Sequence, residues 1–151
     1  MKKLQILYFI ALFAIVSCSL SNKNAQYKNV NEAGWKAKDT LSFEINVEDI
    51  NKKYQLKLAV RHNKNYEFNN FWVRIIQKTP KENPDLKNIE IPLYNKLGKP
   101  YGKCTGSLCT QIFPIEKNIQ FKNKGKYTIK VIQLMRQEPL LGIKDVGVVL
   151  E

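Results

Sequence analysis

Hydrophobic and polar positions alternate with a period of two along most of the chain. Leu41, Phe43, Ile45 and Val47 alternate with Ser42, Glu44 and Asn46, the pattern of a strand with one buried face. Tyr54, Leu56, Leu58 and Val60 alternate in the same way with Gln55, Lys57 and Ala59. Phe71, Val73 and Ile75 share a face opposite Trp72, Arg74 and Ile76. Ile89, Ile91 and Leu93 make a short run that contains Pro92; proline cannot donate to a ladder, so this strand belongs at a sheet edge. Tyr127, Ile129 and Val131 begin another strand, and Val146, Val148 and Leu150 another. Turn-forming clusters separate the runs at 49–53, 63–65, 80–84, 97–100 and 124–126. Only 133–137 is suited to a helical turn, stopped by Pro139 and Gly142. The expected fold is all-β: a single antiparallel β-sandwich domain of about six to eight strands.

The start of the chain breaks this pattern. Lys2 and Lys3 precede an uncharged run from Ile6 to Val16. That run is shorter than the ~20 residues a membrane-spanning helix needs and fits the apolar region of a secretory leader. Ile15-Val16-Ser17-Cys18 then reads as a lipobox: two aliphatics and a small residue for the peptidase groove, followed by a thiol that takes a diacylglycerol. The expected organisation is a lipoprotein signal peptide at 1–17, a lipidated N-terminus and flexible tether at 18–26, and the sandwich at 27–151. A chain acylated at Cys18 is stably held in a membrane, since each buried methylene contributes ~0.8 kcal/mol.

Charge changes the picture less than its size suggests. The 151 residues carry 25 Lys plus Arg against 13 Asp plus Glu, a formal charge of +12. Only Arg61, Arg74 and Arg136 are arginines, and arginine carries most specific base readout. The lysines are spread along the chain, so nucleic acid is not an expected partner. Lys122, Lys124, Lys126 and Lys130 flank Gly125, either as a solvated turn or as a contact for anionic lipid headgroups.

Catalytic chemistry finds little footing. His62 is the single histidine, which excludes multi-histidine metal sites, and G-x-S-x-G, P-loop, H-E-x-x-H and G-x-G-x-x-G motifs are absent from the sequence. The carboxylates are scattered, and no enzyme activity, metal, cofactor or small-molecule substrate is expected; the covalent lipid on Cys18 is the sole attached group. Cys104 and Cys109 are expected to form a disulfide, since export permits oxidation and C-x₄-C is neither a redox C-x-x-C nor a zinc half-site. Trp35, Tyr66, Phe71 and Trp72 suit either a sandwich core or a sugar-stacking row.

The carboxyl-terminal residues are more specific. Gly125-Lys126-Tyr127-Thr128, Gln133-Leu134-Met135-Arg136 and Leu141-Gly142-Ile143-Lys144-Asp145-Val146-Gly147 follow in close order. Upstream, Trp35 precedes the first strand, Leu58 to Arg61 leads into Asn63, Tyr66, Asn70 and Trp72, and Pro92-Leu93 is followed by Gly98 and Gly102. Taken in order, these segments resemble the gliding motility lipoprotein GldH family of the Bacteroidota. The resemblance implies a lipid-anchored, non-catalytic assembly or scaffold component of the gliding and type IX secretion machinery, with envelope proteins as partners. The alternative is a periplasmic or surface glycan-binding sandwich. No acidic residue stands between Cys18 and Glu32, which favours the outer membrane facing the periplasm over the cell surface. Within the closing motif, Gly142 and Gly147 are expected to permit a turn or close strand approach. Arg136 and Asp145 are expected to pair across that turn, or Asp145 to cap it through its own backbone.

Overall fold

A computed structural model of the chain describes residues 25–78 and 83–151. The leader at 1–17, Cys18 and the tether as far as residue 24 lie outside the described residues. Among the described residues nine strands form: β1 (Ala25–Asn29), β2 (Leu41–Val47), β3 (Tyr54–Asn63), β4 (Asn70–Lys78), β5 (Asp85–Pro92), β6 (Lys103–Thr105), β7 (Leu108–Ile119), β8 (Gly125–Gln133) and β9 (Ile143–Leu150). They build two antiparallel sheets, ordered β1-β9-β3-β7-β6 and β2-β8-β4-β5. The all-β sandwich is therefore what the alternating pattern encodes. Residues 133–137 make no helical turn; they leave β8 as extended chain and bends. The strand that contains Pro92 is an edge strand, with Pro92 at its last position.

Each sheet turns one set of alternating residues inward. Phe43, Ile45, Val47, Val73, Ile75, Ile129 and Val131 from the four-stranded sheet face Leu56, Leu58, Val60, Val146, Val148 and Leu150 from the five-stranded one, and all are buried. Burying a side chain of this size stabilises the fold by roughly 1.5–3 kcal/mol. β1 begins at Ala25, two residues before the expected start of the sandwich at 27 and inside the expected tether, with Ala25 paired to Val149 and Gln26 to Val148. From there it closes one side of the sandwich. The Gln26 side-chain amide donates to the Glu44 carbonyl and accepts the Glu44 N–H at 3.2 Å, so this side chain occupies the Glu44 main-chain groups of edge strand β2, where another strand could otherwise pair. At the opposite edge of that sheet, Lys87 on β5 binds Asp85 at 3.1 Å and Glu116 of β7 at 2.8 Å, placing charge where an edge would otherwise be flat and apolar.

The topology gives the sandwich two distinct ends. β1 enters at the end that also holds the β2–β3 and β7–β8 connections, called basal here. The β1–β2, β3–β4 and β8–β9 connections gather at the other, distal end.

Candidate functional site

The distal end holds a concavity. Three connections meet there around a cleft of about 560 Å³. Its floor is Val30, Gly34, Gly142 and Ile143, and its walls carry Asn31, Glu32, Asn63, Lys64, Asn65, Glu67 and Lys144. Backbone bonds fix the frame: the Val30 N–H donates to the Lys144 carbonyl at 3.0 Å and the Asn63 N–H to the Gly142 carbonyl at 2.9 Å. Asn31 and Asn63 each turn the chain by accepting the N–H two residues on, from Ala33 and Asn65, both at 2.9 Å, the local bonding that suits asparagine to turns. Glu32 and Lys144 face each other at 3.5 Å, while Lys64 and Glu67 stand exposed on the β3–β4 connection.

Gly142 makes the cleft possible. Its φ is +83°, and a Cβ there would lie 2.3 Å from the Tyr66 backbone nitrogen, so only glycine lets the two connections pass. Gly147 plays another part. On the outer face of β9 it lies under the Tyr27 ring, where a Cβ would approach the ring to 2.5 Å.

Asp145 does not pair with Arg136, nor does it cap a turn. It sits within β9 opposite Arg61 and Asn29, and its carboxylate takes Arg61 as partner: Nε donates to Oδ1 at 2.7 Å and Nη2 lies 2.5 Å from Oδ2. The Asp145 side chain is 1 % exposed. The hydrogen bond to Asp145 raises the Arg61 pKa further, against the opposing effect of its own burial, and the guanidinium leans toward the Tyr27 ring 5.8 Å away. Arg136 is exposed in the β8–β9 connection. The cross-strand neighbour won over the sequence neighbour because pairing register, invisible in the chain, brings Arg61 directly opposite.

His62 is fully buried at the distal rim. Burial lowers its pKa, partly offset by a hydrogen bond with the Asn63 backbone. Its Nδ1 lies 3.4 Å from the Tyr94 hydroxyl, and Nε2 has no hydrogen-bond partner in the structure. Tyr66 and Tyr94 flank the ring at 5.7 and 5.4 Å between centroids. A neutral imidazole walled in by tyrosines is part of the core packing.

Of the four aromatics suited to sugar stacking, Trp35, Tyr66 and Phe71 are buried and Trp72 alone is exposed, at 39 %, so no stacking row forms among them. Trp35 packs 5.8 Å from Phe71, and its indole N–H donates to the Asp39 carbonyl at 2.7 Å. Cys104 and Cys109 are joined at the exposed β6–β7 hairpin. Among the described residues no group of three or more His, Cys, Asp or Glu is placed to hold a metal ion.

Two of the segments that gave the sequence its resemblance, 58–66 and 141–147, meet at the cleft and at the Asp145 pair. A model of the GldH lipoprotein family matches residues 23–150. The chain belongs to the GldH lipoprotein family. Among its relatives is the gliding motility lipoprotein GldH of Flavobacterium johnsoniae, 29 % identical over 145 residues that span 91 % of this chain and 89 % of the relative. Another is a gliding motility lipoprotein GldH homolog of Christiangramia forsetii, 26 % identical over 149 residues, 92 % and 91 % of the two chains. Membership in the GldH family thus covers all nine strands. Sequence reasoning singled out Gly142 and Asp145 of this end but missed the cleft and Arg61. Arg61 stands in the segment Leu58 to Arg61, where its one sequence signal is a basic residue on the polar face of a strand; that it lies opposite Asp145 is set by register.

Proposed function

We propose that this chain is a lipid-anchored, non-catalytic docking component of the gliding motility machinery, held by Cys18 to the outer membrane on its periplasmic side. In this reading the distal cleft receives an envelope protein partner. The observation that carries it is the placement of the cleft: it opens at the end opposite Ala25, so a chain tethered through its N-terminus presents the cleft away from the bilayer. The cleft's mixed polar lining suits a protein surface, with Glu and Lys side chains available for complementary charge. The proposal includes a role in type IX secretion, which the sequence resemblance implies, and so extends to protein export.

A deletion strain complemented with variants tests this. Cys18→Ala is expected to release the protein from membranes and abolish complementation. Lys64→Glu with Glu67→Lys, both exposed, is expected to leave protein levels and membrane attachment intact while impairing surface movement or secretion. Full complementation by the cleft variant overturns the docking role of the cleft.

A further inference from the structure

The basal end carries a face of lysines that the family reading leaves unused. Lys52 and Lys53 stand exposed on the β2–β3 connection, Lys117 near the end of β7, Lys122 and Lys124 on the β7–β8 connection, and Lys78 at the end of β4. The carboxylates nearby are largely engaged. Glu151 binds Lys57 at 2.5 Å, Asp85 and Glu116 bind Lys87, and Glu44 lies 3.4 Å from Lys126. Among the described residues Glu48 and Asp49 are further opposing charges, and Asp49 is turned to its own loop, accepting the Asn51 N–H at 2.9 Å. The face is stiff beneath its lysines: Tyr54, Phe121 and Tyr127 stack behind it at 5.4 and 4.6 Å. The Tyr54 and Tyr127 hydroxyls tie down the two connections by donating to the Asp49 and Asn123 carbonyls, both at 2.8 Å.

We infer that this basal face, centred on Lys53, Lys117 and Lys124, rests on the anionic headgroups of the bilayer that holds the chain. Position supplies the occupant. β1 starts at this end with Ala25, and seven residue steps separate Cys18 from Ala25, a reach of at most roughly 25 Å. A lipid on Cys18 would therefore keep these lysines close to the headgroups, within a few screening lengths of ~8–10 Å. Because the anchor supplies high local concentration, a weak electrostatic contact is enough to set orientation. One lysine near an anionic surface contributes about five-fold in binding. The consequence is an upright molecule with its distal end turned outward. The inference rests on the proposed anchor, and its test separates the two.

The chain from residue 18 onward, carrying Cys18→Ala, keeps all nine strands and the whole core. At low salt it is expected to cosediment with vesicles of phosphatidylcholine containing 30 % phosphatidylglycerol at least ten-fold more strongly than with phosphatidylcholine alone. Lys53→Gln, Lys117→Gln and Lys124→Gln together are expected to remove ten-fold or more of that binding. A matched distal triple, Lys36→Gln, Lys96→Gln and Lys99→Gln, removes the same charge and is expected to bind nearly as the parent does. Equal losses from both triples would show that net charge alone binds, and no preference for anionic vesicles would show that nothing does; either result overturns the inference. Release of Cys18→Ala from cell membranes reports on the anchor separately, so retention there would sink the anchor and leave the vesicle result standing.

Discussion

The two ends of the sandwich are closed by opposite means. At the distal end, main chain is pressed against main chain. Gly142 passes beside Tyr66 without room for a methyl group, and Trp35 and Leu140 exchange both backbone hydrogen bonds, at 2.8 and 2.9 Å. The buried Gln133 side chain is shared there between Glu138 at 3.0 Å and the Met135 N–H at 2.7 Å. At the basal end three aromatic rings fill the gap between the sheets and the connections lie outside them, lysine-rich and open. Gly125 there has φ +129°, yet nothing stands within 4 Å of where its Cβ would be. One end is specified by close approach and the other by buried area, so changes of the same chemistry should have different effects at the two ends.

The sharpest way to break this contrast is one substitution made at both ends. Gly142→Ala adds a left-handed strain of about 1–3 kcal/mol to a clash with backbone that cannot move aside, a total on the order of 4 kcal/mol in urea unfolding. Gly125→Ala carries the strain alone and should cost about 1–2 kcal/mol. Equal costs would mean that the distal close approach is not a constraint.

Next in size is the ion pair at the distal end set against one at the basal end. Arg61→Ala strips a buried carboxylate of its partner. Breaking a fully buried pair costs 3–5 kcal/mol, and the part-exposed arginine reduces this to about 2 kcal/mol. Asp145→Asn in the same background removes the stranded charge and should recover part of the loss, which a double-mutant cycle reads directly. Lys126→Gln, which breaks the exposed pair with Glu44, should change stability by less than about 0.5 kcal/mol. If the two single substitutions prove equal, burial is not what gives the distal pair its weight.

The same contrast explains what the chain reveals in advance. β2, β4 and β8 were legible because one face of each meets the core and the other is more open, so apolar residues alternate along them. β3 and β9, central in their sheet, kept an apolar inward set although Ala59, Asp145 and Val149 of the other face are buried too, and β5 showed through Ile89 and Ile91. β1 and β6 were not, since they lie at sheet edges and carry polar residues on both faces. β7 escaped although it is the longest strand: Pro114 interrupts it, Phe113 and Ile115 pack on the core while Ile112 is exposed, and its register with β3 shifts near Leu56. Gly142 was legible as a turn residue because glycine marks backbone demands that no other residue meets. The cleft and the Arg61–Asp145 pair were not, because both arise from register between strands distant in sequence.

The smallest expected effect concerns His62 and tests whether the distal end is as tightly sealed as its geometry indicates. Burial lowers the imidazole pKa in the folded chain, so the unfolded chain binds its proton first as the pH falls. Stability from this group is then fully present above the ordinary histidine value of about 6.5 and declines as the pH drops below it toward the lowered folded value. The slope is bounded by one proton, about 1.4 kcal/mol per pH unit. Carboxylates titrate at lower pH, so the clean measurement is the difference in unfolding free energy between the parent and His62→Leu from pH 7.5 to 5. That difference should shift in favour of the variant below pH 6.5. A difference constant with pH would mean that the imidazole is protonated in place, with water reaching Nε2 through a distal end less closed than its backbone contacts require.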